Sequence, residues 1–212
     1  MADLEFFFDP VCPWAWITSR WVVEVQQQRH YTVHWRFISL KMINEGRDQE
    51  SYDDGYRAVH MAGLYTHRVC DEVRMQHGND AVGALYTAIG TAFHPDGRRP
   101  EITDEPVAFI AEMLSVAGLP DELAAHALDE SHDTYVREDT ETAFARTGRD
   151  VGTPIITFHP GADNESSFFG PVIASIPRGE AATRLWDAIE TIATTSGMAE
   201  LKRSLRSRPR FD

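Results

Sequence analysis

The sequence predicts a mixed α/β fold in which a β-α-β start and a late β-hairpin with a closing helix flank one long helical insertion. Three observations carry that expectation. Strand-like apolar runs occur only toward the two ends of the chain, helical spacing dominates the middle, and turn signals cut that middle into segments.

Taken in order, residues 4 to 8, Leu-Glu-Phe-Phe-Phe, read as a buried strand. It stops at Asp9-Pro10, because proline cannot donate to a sheet ladder and biases its predecessor to extended geometry. Pro13 suits a first helical turn, where its missing amide costs nothing, and Trp14, Ile17, Trp21, Val22 and Val25 follow at helical spacing. Cys12 therefore falls at or near an N-cap. Thr32 to Leu40 alternates, with Val33, Trp35, Phe37 and Ser39 on one side, and reads as a second strand. Helices are then expected over roughly 53–77, 80–94, 104–117, 120–130 and 133–147. Gly78-Asn79-Asp80, Pro95-Asp96-Gly97 and Gly118-Leu119-Pro120 supply turn signals between them. Strand character returns from Thr153 to Phe158, and Ser166 to Phe169 forms the second arm of a hairpin ending at Gly170-Pro171. An amphipathic helix over about 178–195 closes the pattern. One domain is thus expected from residues 1–40 and 150–212, and a helical subdomain from 41–149.

The 212 residues, 42% of them hydrophobic, can bury one core with a satellite of helices packed on it. The formal charge of -13 repels phosphate backbones and anionic membranes, so neither nucleic acid nor a membrane is expected as a partner. The N-terminus lacks the basic start and small-residue cleavage site of a secretory signal, and no apolar run approaches a membrane span. Cys12 and Cys70 are too few for a disulfide framework, and with no signal they point to a reducing cytoplasm.

An N-capping cysteine has its sulfur beside unpaired backbone amides and the positive end of the helix dipole, both of which favour thiolate over thiol. A small apolar residue filling a strand-to-helix corner is the plainer account of a lone cysteine. Here Pro10 and Pro13 stiffen both flanks, and Trp14 and Trp16 add more aromatic surface than a turn requires, which favours a nucleophile.

Across Asp9-Pro10-Val11-Cys12-Pro13-Trp14-Ala15-Trp16 the chain resembles the thioredoxin-like family of DsbA-type oxidoreductases, whose active-site motif is Cys-Pro-x-Cys. Several further stretches look like the mycothiol-dependent nitroreductase branch of that family. They are Ile17-Thr18-Ser19-Arg20-Trp21, Ser39-Leu40, Asn44-Glu45, Val151-Gly152-Thr153-Pro154, Phe168-Phe169-Gly170-Pro171 and Ile176-Pro177-Arg178-Gly179-Glu180. The resemblance spans nearly the whole chain. It implies a thioredoxin-like fold with a large all-helical insertion, the architecture that DsbA shares with kappa-class glutathione transferases. It further implies a cytoplasmic enzyme with no tightly bound cofactor and with mycothiol, or a similar low-molecular-weight thiol, as cosubstrate. Nitro compounds or other electrophilic or disulfide substrates would be the second partner. In this family a cis-proline, here Pro154, faces the active-site sulfur, and the backbone of Thr153 pairs with the incoming thiol. Trp14, Asn44, Tyr56 and His94 match positions that approach the thiol pocket, beside Pro13 and Ala15 of the motif itself. Read alone, each of those four is packing or solvated helix face.

Ala15 departs from the pattern, because it occupies the place of the resolving cysteine. Cys12 then cannot close an internal disulfide there, and Cys70, set among Tyr65, Val69 and Val73, reads as a buried inert thiol. A one-cysteine cycle remains, in which a second low-molecular-weight thiol resolves the adduct on Cys12. Two alternatives stand beside it: a kappa-like thiol S-transferase, which needs no resolving cysteine, and a non-catalytic thiol-binding protein. Both a monomer and a homodimer fit the sequence.

No metal site is expected, since the nine histidines form no His-Glu-x-x-His and no Cys-x-x-Cys occurs. His60 and His67, two helical turns apart, read as surface residues. Asp129, Glu130 and Asp133 read as a solvated acidic face.

Overall fold

The computed structural model of the chain describes residues 3–45 and 53–212. The chain forms two compact units. One comprises the residues up to Phe8 with Cys12–Arg36 and Ala143–Asp212, the other Asp9–Val11 with Phe37–Thr142.

The first unit holds β1 (Leu4–Phe8), α1 (Pro13–Arg29), all but the last residue of β2 (Val33–Phe37), β3 (Ile155–Phe158), β4 (Ser166–Phe169) and α8 (Gly179–Thr194). Among the described residues the strands form one mixed sheet in the order β2-β1-β3-β4. β3 runs antiparallel to both neighbours, with Leu4 opposite Phe158, Phe7 opposite Ile155, and Ile155 opposite Phe169. β1 is central, and all five of its side chains are buried. That explains why Phe6, Phe7 and Phe8 follow one another without alternation, since a strand covered on both faces has no polar side to alternate. Trp35 of β2 sets its ring edge-on to Phe6 and Phe8. α1 and α8 pack together: the Trp21 indole donates to the Ala182 carbonyl at 2.9 Å, and its ring lies 5.4 Å from that of Trp186.

One charge sits in this core. Glu5 of β1 is buried and is held by Arg36 Nη1 at 3.0 Å, by Arg146 and by His34, whose Nδ1 is 3.6 Å away. Burial by itself would raise its carboxyl, but the hydrogen bonds from His34 and Arg146 and the charges of Arg36 and Arg146 outweigh it and hold the group at about 2.

The second unit is helical. It contains α2 (Leu40–Ile43), α3 (Asp54–His77), α4 (Asn79–Phe93), α5 (Arg99–Asp104) and α6 (Pro106–Val116), then 3-10 turns over Asp121–Leu128 and Glu130–His132, and most of α7 (Asp133–Thr147). α3 runs through its middle, packing on α4, α5 and the 3-10 turns.

Several expectations need correction. The second strand ends at Phe37 rather than Leu40, because the Ser39 hydroxyl accepts the Met42 amide at 3.4 Å and caps α2. The helix expected over 104–117 begins at Pro106, preceded by the separate α5, since Glu105 takes extended-side geometry before a proline. The segment 120–130 forms 3-10 turns instead of an α-helix: Asp129 interrupts it and caps the Ser131 amide at 2.9 Å. His60 and His67 are buried, not exposed, because α3 is enclosed on more than one side; the His67 ring lies 5.3 Å from that of Phe37. Asp133 is no solvated carboxylate either, since it takes a two-pronged grip from Arg68 at 2.6 and 2.9 Å. Cys70 is fully buried, and burial, with the charge of Asp71 beside it, pushes its thiol well above the ordinary range. No helix among the described residues is long and apolar enough to cross a membrane.

Candidate active site

Cys12 is the N-cap of α1, with Pro13 at the first helical position. Its backbone is extended while its carbonyl already accepts the Trp16 amide at 3.0 Å, so the chain turns from strand to helix at this residue. The sulfur receives two opposed contacts. The Ala15 amide donates to Sγ at 3.5 Å, an interaction that strengthens as the sulfur becomes negative. On its other side Sγ lies 3.5 Å from the Thr153 carbonyl oxygen, to which only the protonated thiol can donate. Cys12 is buried, 7% exposed, and so is screened from bulk water.

The Thr153 carbonyl is itself positioned. Thr153 Oγ1 donates to the Phe7 carbonyl on β1 at 3.2 Å, and the Gly170 amide donates to the Pro154 carbonyl at 2.8 Å. The Thr153–Pro154 peptide bond is cis. Ala15 is fully buried behind Cys12, while Trp14 and Pro13 are half-buried. The first unit thus brings Cys12, Pro13, Ala15, Thr153 and Pro154 to one corner of its sheet.

Asn44, Tyr56 and His94 belong to the second unit. Asn44 and Tyr56 converge on His60. Asn44 Nδ2 donates to the Leu40 carbonyl at 2.7 Å and lies 3.5 Å from His60 Nδ1, and the Tyr56 ring centre is 4.3 Å from that of His60. Tyr56 is 51% exposed.

Asp9, Pro10 and Val11, the residues leading into Cys12, also belong to this unit, and sequence reasoning saw them only as a strand stop. The buried Asp9 carboxylate accepts the Val11 amide at 3.0 Å and the Leu40 amide at 2.8 Å. Gly63 of α3 makes room for it, since a Cβ there would stand 2.5 Å from Asp9 Oδ1. The signal available in the sequence was the Asp-Pro pair, which favours turns closed by the aspartate side chain.

His94 completes this clamp, its Nε2–H donating to the Pro10 carbonyl at 2.9 Å. Burial is the main reason its imidazole is lowered to about 4, with Arg99 adding to the effect and the Pro10 bond opposing it. The folded value lies below the ordinary 6.5, so the unfolded chain binds the proton first. Stability from this group is complete above pH 6.5 and is lost as pH falls toward 4, by at most about 3 kcal/mol. His94→Gln keeps a donor but cannot titrate, so urea unfolding of this variant should lack that loss between pH 6.5 and 4.

A family model described as Rv2466c-like, mycothiol-dependent nitroreductase Rv2466c, matches residues 11–203. The chain is 30% identical over 210 residues to the uncharacterized protein Rv2286c of Mycobacterium tuberculosis, covering 96% of this chain and 82% of that one. Among solved structures it is similar to the probable DsbA oxidoreductase SCO1869 from Streptomyces coelicolor, with a TM-score of 0.59, 17% identity, and 96% and 94% of the two chains covered. It is also similar to the cytosolic disulfide reductase DsbM from Pseudomonas aeruginosa with GSH, with a TM-score of 0.52, 15% identity, and 78% and 88% covered. At these identities the structures establish the fold, which is thioredoxin-like and DsbA-like with a helical insertion.

Proposed function

The chain belongs to the Rv2466c-like, mycothiol-dependent nitroreductase family, and on that premise we propose a cytoplasmic thiol-dependent oxidoreductase that works through Cys12 alone. The observation that carries this reading is the Cys12 sulfur at a helix N-terminus, facing the Thr153 carbonyl, with the methyl of Ala15 where a resolving sulfur would stand.

The Ala15 amide and the open end of α1 stabilise the thiolate. Once the sulfur has lost its proton, the Thr153 carbonyl is left to accept an N–H of the thiol cosubstrate, which aligns that molecule along the edge of the Cys12 loop. The thiolate attacks one sulfur of a disulfide, the S–S bond breaks, and the other half leaves as a thiolate. A second low-molecular-weight thiolate then attacks the mixed disulfide, releasing Cys12 as thiolate and a new disulfide as product. That exchange is redox-neutral, with one disulfide consumed and one formed; with a nitro or other electron-poor molecule as the acceptor in place of the disulfide, two thiols oxidised to one disulfide supply the two electrons that acceptor takes up. Mycothiol is the thiol by the same family argument. The family resemblance assigns Trp14 of the first unit, and Asn44, Tyr56 and His94 of the second, to substrate binding, with a thioredoxin-like domain of residues 1–40 and 150–212 and an insertion of 41–149.

Ala15 also favours a second reading, a kappa-like S-transferase in which the product is a thioether and no thiol is oxidised. Intact-mass analysis after incubation with mycothiol disulfide tests the first. Wild-type protein should carry one mycothiol on Cys12, removed by added mycothiol, and Cys12→Ser should carry none. Ala15→Cys should not accumulate the adduct, because the introduced thiol displaces it and leaves an internal disulfide two hydrogens lighter. Wild-type protein that never forms the adduct, or an adduct that persists in Cys12→Ser, would overturn the one-cysteine cycle.

A further inference from the structure

Far along the second unit from its Asp9 clamp in sequence, the 3-10 turns bring a second chemical cluster together. His126 lies in the first 3-10 segment, His132 ends the second, and Asp129 is the extended residue between them, with Glu72 of α3 facing both histidines. His126 Nδ1 and His132 Nε2 are 3.2 Å apart. Glu72 Oε2 lies 3.6 Å from His132 Nε2, and Asp129 Oδ2 lies 3.8 Å and 4.0 Å from His126 Nδ1 and His132 Nε2. One donor atom from each of Glu72, His126 and His132 fits within a 4.8 Å span.

We propose that Glu72, His126, His132 and Asp129 bind a divalent ion of the zinc class. A tetrahedral ion with bonds of about 2.0–2.1 Å holds its donors about 3.3–3.4 Å apart. The two histidines already stand at that spacing, and the carboxylates need small inward movements.

Three further features distinguish this cluster from a chance gathering of polar groups. His132 is 5% exposed, and its Nδ1–H donates to the fully buried Asp71 carboxylate at 2.8 Å. That bond fixes the tautomer with the Nε2 lone pair aimed into the cluster, the carboxylate–histidine arrangement that orients metal-bound imidazoles. Asp129 divides its labour: Oδ1 caps the Ser131 amide, which leaves Oδ2 turned toward both rings. The charges also balance. Asp71 is paired with Arg74 at 2.5 Å, so the carboxylates of Glu72 and Asp129 remain to neutralise an ion of charge two. Two nitrogens and two oxygens suit zinc, cobalt or nickel over magnesium or calcium. Bound there, the ion would tie the Asp121–His132 turns to α3. The site is independent of chemistry at Cys12.

The test uses the untagged full chain in a Cys12→Ser background, stripped with chelator, so that no reactive thiol competes for metal. Zinc titrated against a chromophoric chelator should bind at one equivalent per chain. Cobalt(II) should give the visible bands of a tetrahedral nitrogen and oxygen site. His126→Gln and Glu72→Gln should each weaken zinc binding by on the order of 100-fold or more, while metal-free circular dichroism and melting stay unchanged. Asp71→Asn, which keeps every ligand, should weaken it by about 10- to 100-fold. No stoichiometric binding at micromolar zinc, or binding that survives both His126→Gln and Glu72→Gln, would overturn the proposal.

Discussion

Replacing Cys12 by serine is expected to lower thiol-dependent turnover by on the order of a thousand-fold or more. A serine hydroxyl is scarcely ionised at neutral pH and is a poor nucleophile toward sulfur, so the mixed-disulfide step is lost. The substitution leaves structure intact for a reason visible at the site. Serine is among the best N-caps, and its oxygen can accept the same Ala15 amide that Sγ accepts at 3.5 Å. Stability should therefore stay within about 0.5 kcal/mol of wild type. Turnover measured with mycothiol and a nitro acceptor, beside urea unfolding of the same samples, separates the two quantities. Activity that survives the change, with thioether as product, would move the assignment to the transferase reading.

The largest stability effect is expected at Glu5. Its carboxylate lies in the central strand among Arg36, Arg146 and His34, and those partners hold it at about 2 although burial works against them. The folded value is below the ordinary 4.5, so the charge contributes stability that is complete above pH 4.5 and is lost as pH falls toward 2. Glu5→Gln removes that contribution and leaves two guanidinium groups facing a neutral amide, at a cost of about 3 kcal/mol at pH 7. In urea unfolding the gap between wild type and variant should be widest at neutral pH and narrow steadily below pH 4.5. A gap that is constant with pH would mean that shape, not charge, makes Glu5 matter. The window lies below most of that assigned to His94, so the two groups can be told apart in one pH series.

Local pattern explains what could be read from the residues. The Leu4–Phe8 run, the helical spacing after Pro13 and the hairpin arms at Ile155–Phe158 and Ser166–Phe169 are each set by neighbours in the chain, and all appear in the structure. So does the N-capping position of Cys12, since a strand stop followed by proline leaves little else for that residue to be. The separation of 141 positions between Cys12 and Thr153 is a different matter. No periodicity reports a contact of that range, and only resemblance to a family pointed to Thr153 and Pro154.

Where side chains compete with backbone, local reading was least reliable. Ser39 ended a strand early and Asp129 separates two 3-10 segments where one α-helix was expected, each accepting an amide a few residues on. The second of these marks more than a boundary, because the break at Asp129 lies between the two histidines that meet at 3.2 Å. Their spacing fits none of the familiar metal motifs, and Glu72 joins them from another helix.

By itself the sequence determined the strands and helices at the two ends of the chain, the N-cap setting of Cys12 and the absence of a resolving cysteine at Ala15, because each depends on residues within one or two turns of one another. Tertiary structure alone decided that Asp9 braces the loop into Cys12, that Glu5 keeps its charge inside a sheet, and that two histidines meet at 3.2 Å. Those are properties of groups drawn from distant segments, and the free energy of a buried charge or a shared ligand cluster is set by which partners the packed chain brings within hydrogen-bonding reach.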